Sequence, residues 1–245
     1  MNVKNKSQAK YVITSQDIYA ESVSTLQGLG FEVYSSFNNT NVSTPVSKHV
    51  DMQLVHLGNN QYLCAPECYE YYYELFDKTG FNLIKGETFL SSNYPCDIAY
   101  NIIVTEKYAV HNFKHTDSQL AQCIKNRAWI NVSQGYTACS VCRVNDSAFI
   151  TADEGIYKAL ASYNLDVLKI STGSVLLPGY DTGFFGGACF RISTNTLAIN
   201  GNIEYHCDCD KIISFCKSFN VDVLSLSDNP IMDIGSAVVA LGDYK

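Results

Sequence analysis

The sequence predicts an α/β fold, a five-fold pseudo-symmetric α/β propeller of five strand-strand-helix-strand units. Three observations predict it. Five segments read as a helix running into a strand, hairpin-like strand pairs lie between them, and the two ends of the chain supply complementary parts of one unit. Aligned on Phe31, Phe81, Trp129, Leu165 and Val221, the helix-strand segments recur at intervals of 50, 48, 36 and 56 residues. Aligned on the residue before each hairpin turn (Leu57, Val104, Val144, Ile192, Leu241), the intervals are 47, 40, 48 and 49. Two independent anchors agree on one period.

The first unit, about residues 10–48, carries "DIYAESVSTLQGLGFEVYSS", with Asp17 near the helix start and an apolar alternation at its close. The second, 49–95, pairs the hairpin "DMQLVHLGNNQYLCAP" with "ECYEYYYELFDKTGFNLIKG", whose tyrosines fall at helical spacing and form a packed face. The third, 96–137, joins "DIAYNIIVTEKYAVHNF" to "DSQLAQCIKNRAWINVSQ", with Thr116 at the helix start. The fourth, 138–185, holds "SVCRVNDSAFITAD" and then "DEGIYKALASYNLDVLKIS", opened by Asp153. The fifth, 186–233, holds "ACFRISTNTLAING" and "DCDKIISFCKSFNVDVLSLS", opened by Asp208. A closing strand follows over 234–245, "GSAVVALGDYK". The first unit lacks a first strand and this last strand lacks a unit, so one ring-shaped domain over 1–245 is expected. Repeats that cannot bury an apolar face alone must pack on their neighbours.

Hydrophobic residues make up 47% and charged residues 17%, and no run of about 18 apolar residues suggests a membrane span. The polar N-terminus "MNVKNKSQAK" lacks the apolar core of a secretory signal, so a cytoplasmic location is expected. There ten cysteines stay reduced and serve as small hydrophobes, metal ligands or reactive thiols. A formal charge of −7 argues against a nucleic-acid surface and suits a small cationic partner.

Five such units around a pseudo-fivefold axis resemble the pentein, or guanidino-group-modifying, fold. Its members include arginine, agmatine and peptidylarginine deiminases, dimethylarginine dimethylaminohydrolases and amidinotransferases. The segments "HVDMQLVHLGNNQYLCAP", "QGYTACSVC" and "GYDTGFFGGACF" resemble most an uncharacterised bacterial pentein-like family. The resemblance covers roughly residues 10–245. It implies a central pocket lined by the first strand of each unit. It also implies a cysteine thiolate that attacks a guanidinium carbon, a histidine that moves protons and carboxylates that grip the guanidinium nitrogens. Those residue types suit the chemistry. Carboxylates bind a planar cation bidentately, and the cation favours the ionised thiol beside it.

On that resemblance "HVD" places His49 as acid/base and Asp51 as substrate ligand at the start of an inner strand, and "TACSVC" places Cys139 as nucleophile two units later, 90 residues on. Enzymes of the family carry the cysteine on the last strand. Here that strand, "DIGSAVVAL", has none, so the site is either lost or rotated around the ring. Rotation assigns Asp233 as a second substrate carboxylate and Asp97, on the strand between, as a further substrate-binding residue. The fifth inner strand, "GFFGGACF", lacks a further carboxylate unless Asp181 reaches in. A site so built needs no cofactor and no metal. The expected function is a hydrolase or amidinotransferase acting on a guanidino or amidino compound. The alternative is a catalytically inert pentein used as a binding scaffold, as in a translation factor of the same fold.

Each residue also has a plainer role. Cys139 and Cys142 form C-x-x-C, which makes a zinc site only if "HCDC" (206–209) folds against it, and which lies on a strand rather than at the helix N-terminus of a redox pair. Strand alternation points Cys139 and Cys142 to opposite faces. Cys64, Cys68, Cys123 and Cys216 read as core, and Cys189 is the second-choice nucleophile. Asp51 and Asp233 could instead cap turns, and the glycines of "GFFGGACF" permit close backbone packing or line a pocket.

Overall fold

The computed structural model describes residues 10–77 and 81–241. Residues 1–9, 78–80 and 242–245 lie outside the described residues, and with them the last four residues of the expected closing segment. Strand β1 (Lys10–Thr14), helix α1 (Ala20–Gly28) and strand β2 (Phe31–Ser35) come first. Then follow β3 (Leu54–Gly58), β4 (Gln61–Cys64), α2 (Tyr69–Asp77) and β5 (Asn82–Lys85). The third set is β6 (Ile103–Val104), β7 (Tyr108–His111), α3 (Ser118–Cys123) and β8 (Ala128–Asn131). The fourth is a one-turn helix α4 (Thr137–Ser140), β9 (Val141–Arg143), β10 (Ala148–Thr151), α5 (Glu154–Ser162) and β11 (Asp166–Lys169). The last is β12 (Cys189–Ser193), β13 (Thr196–Ile199), α6 (Cys209–Ser218) and β14 (Asp222–Ser225), with β15 (Ala237–Leu241) at the end.

The same local devices repeat. Four of the helices bury a pair four residues apart, Ser22 and Leu26, Tyr72 and Phe76, Ile156 and Leu160, and Ile212 and Cys216, as an amphipathic helix lying on a sheet requires. After α5 and α6 the chain turns into the next strand through Asn164 and Asn220, each left-handed at φ 57°, and after α1 through Gly30 at φ 85°. Asp153 caps α5, its carboxylate accepting from Ile156 N at 2.7 Å. The cap of α3 is Asp117 rather than Thr116, because a carboxylate at that position reaches Leu120 N at 2.9 Å. Asp17 does not cap α1, which starts at Ala20. Its carboxylate takes Lys48 Nζ at 2.7 Å instead.

The strands form five three-stranded sheets, β15-β1-β2, β3-β4-β5, β6-β7-β8, β9-β10-β11 and β12-β13-β14. In each, the first strand is antiparallel to the second, and the second is parallel to the third across its helix. The C-terminal strand fills the gap in the first unit, with Val12 opposite Val239 and Lys10 opposite Leu241. The result is a mixed α/β fold of five like repeats. Among the described residues no sheet closes on itself, so any ring is made by packing. First strands of neighbouring sheets do touch: β15 meets β3 and β12, β3 meets β6, and β12 meets β9. All five first strands line one cavity of about 690 Å³. Among the described residues no helix is long and apolar enough to cross a membrane.

Candidate active site

Three of the five first strands are preceded by a helical turn. A single 3-10 turn, Val50–Met52, precedes β3 with His49 at its N-cap, α4 precedes β9, and another 3-10 turn, Gly186–Ala188, precedes β12. Cys139 therefore sits on a helical turn and not on the predicted strand. The cause is mainly a tertiary acceptor: Ala138 N and Cys139 N donate to Asn101 Oδ1 at 2.7 and 3.3 Å, and Ser140 N donates to Tyr136 O at 3.0 Å, so these donors never enter a ladder. Strand alternation cannot then explain why Cys139 and Cys142 part company, yet they do. Cys139 packs with Asp51, while Cys142 lies in an apolar cluster with Cys189 and Cys216.

His49, Asp51, Cys139 and Asp233 come together, all buried. The Cys139 thiol donates to Asp51 Oδ2 at 3.0 Å and accepts from Asn101 Nδ2 at 3.1 Å. His49 Nδ1 lies 3.8 Å from Asp233 Oδ1 and has no hydrogen-bond partner. Asp233 is held from both sides, Oδ2 by Phe184 N at 2.9 Å and Oδ1 by Gly235 N at 3.0 Å. Two glycines make this packing possible. A Cβ at Gly187 would run into the Asp233 carboxylate, and one at Gly235, where φ is 68°, would strike His49. The 3-10 turn and the C-terminal segment are tied by Asp51 N donating to Gly235 O at 3.1 Å.

Burial dominates the electrostatics. It pushes the Cys139 thiol well above its ordinary value, and the Asp51 and Asp233 charges push the same way. Burial pushes Asp51 up to about 6, opposed by His49. Asp233 is also raised by burial, against the pull of His49 and its two backbone donors. Three acidic groups thus share one desolvated space with one imidazole. A bound cation would relieve all three.

Asp97 does not join this contact group directly. It is buried before β6, and its Oδ2 accepts from the Tyr136 hydroxyl at 2.6 Å while Oδ1 has no hydrogen-bond partner. It therefore reaches the Cys139 turn through that turn's N-cap residue. Asp181 is exposed and does not reach in. Asn101 and Tyr136 are the two site residues missed from sequence. A lone amide in the apolar run "IAYNII" was the available signal for Asn101, since a buried amide must be hydrogen-bonded.

Among the described residues, two sets of side chains could hold a metal. The donor atoms of His49, Asp51 and Cys139 lie within 4.8 Å of one another, as do those of His206, Cys207 and Asp208. Neither set joins the C-x-x-C pair to the H-C-D-C stretch. In the second set the Asp208 carboxylate is already engaged by Lys211 Nζ at 2.6 Å and Ser171 N at 2.7 Å. A second cavity of about 690 Å³ meets the site on its His49 and Asp233 side, walled by Pro45, Lys48, Leu177 and Gly179.

Residues 13–238 match a family of unknown function, DUF6873. The chain belongs to DUF6873. No curated protein matches it. Among solved structures, the C. jejuni agmatine deiminase superposes on this DUF6873 chain with a TM-score of 0.60 at 10% identity, covering 98% of this chain and 95% of that one. DDAH from Pseudomonas aeruginosa, complexed with citrulline, gives 0.55 at 7% identity over 90% and 93%. SxtG, an amidinotransferase from Microseira wollei in a saxitoxin biosynthetic pathway, gives 0.54 at 10% identity over 93% and 94%. The DUF6873 chain has the pentein fold.

Proposed function

We propose that this protein is a hydrolase or amidinotransferase acting on a small cationic guanidino or amidino compound, with Cys139 as nucleophile and His49 as acid/base. One observation carries the reading: His49, Asp51, Cys139 and Asp233, drawn from three separate stretches of sequence, meet in one buried group in which acids outnumber bases. Asp51 and Asp233 orient the planar cation, and Asp97 supports the nucleophile turn through Tyr136. The substrate's charge makes ionisation of Cys139 favourable, and the thiol proton passes to His49 Nδ1, which has no hydrogen-bond partner. The thiolate forms a bond to the guanidinium carbon. As the carbon–nitrogen bond breaks, His49 returns the proton to the leaving amine, leaving an amidino thioether. Water, or an acceptor amine in a transferase, then attacks that carbon. His49 takes its proton, the carbon–sulfur bond breaks and the thiolate is released.

The same reading makes the five sheets one propeller-like domain over 1–245. Support comes from the touching first strands and from Arg143 Nη1, which donates to Val104 O at 3.1 Å and so bridges β9 to β6. A cytoplasmic location belongs to it too, since ten free thiols suit a reducing compartment.

The test is iodoacetamide alkylation of individual cysteines against pH, read by peptide mass, with and without arginine or agmatine, beside an assay for ureido product. Alkylation of Cys139 is expected to be slow without ligand and to change selectively when the cation binds, with product formed. A Cys139 that ignores every guanidino compound, with no turnover, would sink the enzyme reading in favour of the inert scaffold.

A further inference from the structure

Arginine accounts for only three of the 17 basic residues in the chain, at positions 127, 143 and 191. All three line the cavity enclosed by the first strands, and among the described residues no lysine does. They stand at its hairpin-turn end, with Asn59, Glu106 and Thr194, whereas Val50, Asp51 and Ala138 line the end that faces Cys139. A chain with net charge −7 thus gathers every guanidinium at one opening.

Part of their donor capacity is structural. Arg127 donates to Thr105 O at 2.7 Å, Leu57 O at 2.6 Å and Cys123 O at 3.4 Å, Arg143 to Val104 O at 3.1 Å and to the Asp146 carboxylate, and Arg191 to Thr194 O at 2.8 Å. A guanidinium has five N–H donors, so these bonds leave capacity over on Arg127 and Arg143. Two buried nitrogens at this end, Arg143 Nε and His56 Nε2, have no hydrogen-bond partner. Among the described residues, the acidic groups facing it are Asp146, paired with Arg143, and Glu106, both exposed. Burial and the Arg143 charge push His56 down to about 4, so its ring is a neutral donor or acceptor at the arginines' side.

We propose that the turn end of the central cavity binds a small oxyanion, a carboxylate or a phosphate, between Arg127, Arg143 and Arg191. Planar forked donors are the groups that hold such oxygens two at a time, which a lysine cannot do. The site is separate from the Cys139 cluster and does not depend on that cluster being catalytic.

Three arginines give three Nε–H resonances in an NMR spectrum of the full chain, each assignable from a lysine variant. Inorganic phosphate and acetate would be titrated separately at constant ionic strength against chloride. The Arg143 and Arg191 resonances are expected to shift saturably, and Arg143→Lys to weaken binding about tenfold without unfolding the chain. Arg191→Lys is the second variant should the first not fold. Saturation with phosphate alone assigns a phosphate-bearing ligand, with acetate alone a carboxylate, and with both the shared oxyanion chemistry. Linear drift with both probes, matched by chloride, overturns the site and leaves the arginines as staples between strands.

Discussion

Cys139 and Cys142 stand three residues apart and live in opposite surroundings. Around Cys139 are His49, Asp51 and Asn101. Around Cys142 are apolar residues and two further thiols, Cys189 and Cys216, whose thiol groups are likewise pushed up by burial. Both thiols are buried, so burial alone does not separate a reactive sulfur from an inert one. What separates them is whether polar partners were buried alongside. A carboxylate, an imidazole and an amide within reach of Cys139 are costly unless something cationic offsets them. The Cys142 cluster contains no such imbalance.

The widest separation is expected in turnover. Cys139→Ala should lower ureido-product formation by at least about 10³-fold, as removal of a nucleophile does, while Cys142→Ala keeps activity within the range set by its effect on stability. Equal loss in both would erase the contrast. Next comes Asp51→Asn, which should stabilise the fold by up to about 3 kcal/mol at pH 8. A carboxyl raised from 3.8 to about 6 holds its proton more tightly when folded. Its contribution is therefore best below about pH 4 and is lost as pH rises through 6. Urea unfolding at pH 4 and pH 8 reads the difference, and a gain that is the same at both would refute the charge argument. Cys142→Ser places a hydroxyl in the apolar cluster and should cost about 2 kcal/mol in the same unfolding experiment. If the serine were tolerated, that pocket would have to be wetter than its lining suggests. The smallest effect belongs to Asp181→Asn. As an exposed residue it should change neither stability nor turnover by more than about 0.5 kcal/mol, and a large loss of turnover would place it back in the site.

The repeat was legible because it rests on periodicity. Helix pairs such as Ile156 and Leu160, the left-handed asparagines and the β1–β15 pairing all follow from patterns visible in sequence. The helical turns ahead of β3, β9 and β12 were not. Those ahead of β3 and β9 are tied to tertiary acceptors, Gly235 O and Asn101 Oδ1, and nothing within "TACSVC" announces a partner 38 residues upstream of Cys139. His49, Asp51 and Asp233 were legible as candidates through the family resemblance, from the H-x-D that opens one inner strand and the aspartate that opens another. Asp97 was legible through the same resemblance, but its partner Tyr136 was not, since a tyrosine beside a glycine reads equally as surface.

The pairing of Lys10 with Leu241 at the outer end of the β1–β15 ladder has a mechanical consequence. A pull on those two residues in opposite directions loads the ladder one rung at a time, from the edge inward, rather than in shear. The rungs end at Thr14 and Ala237, and the residues drawn off after Ser236 include Gly235 and Asp233, which pack on His49. Tension across this seam would disarm the acid group around Cys139 while the other four sheets stay folded. In single-molecule pulling this would be a first, low-force extension that abolishes ligand protection of Cys139 before the main rupture.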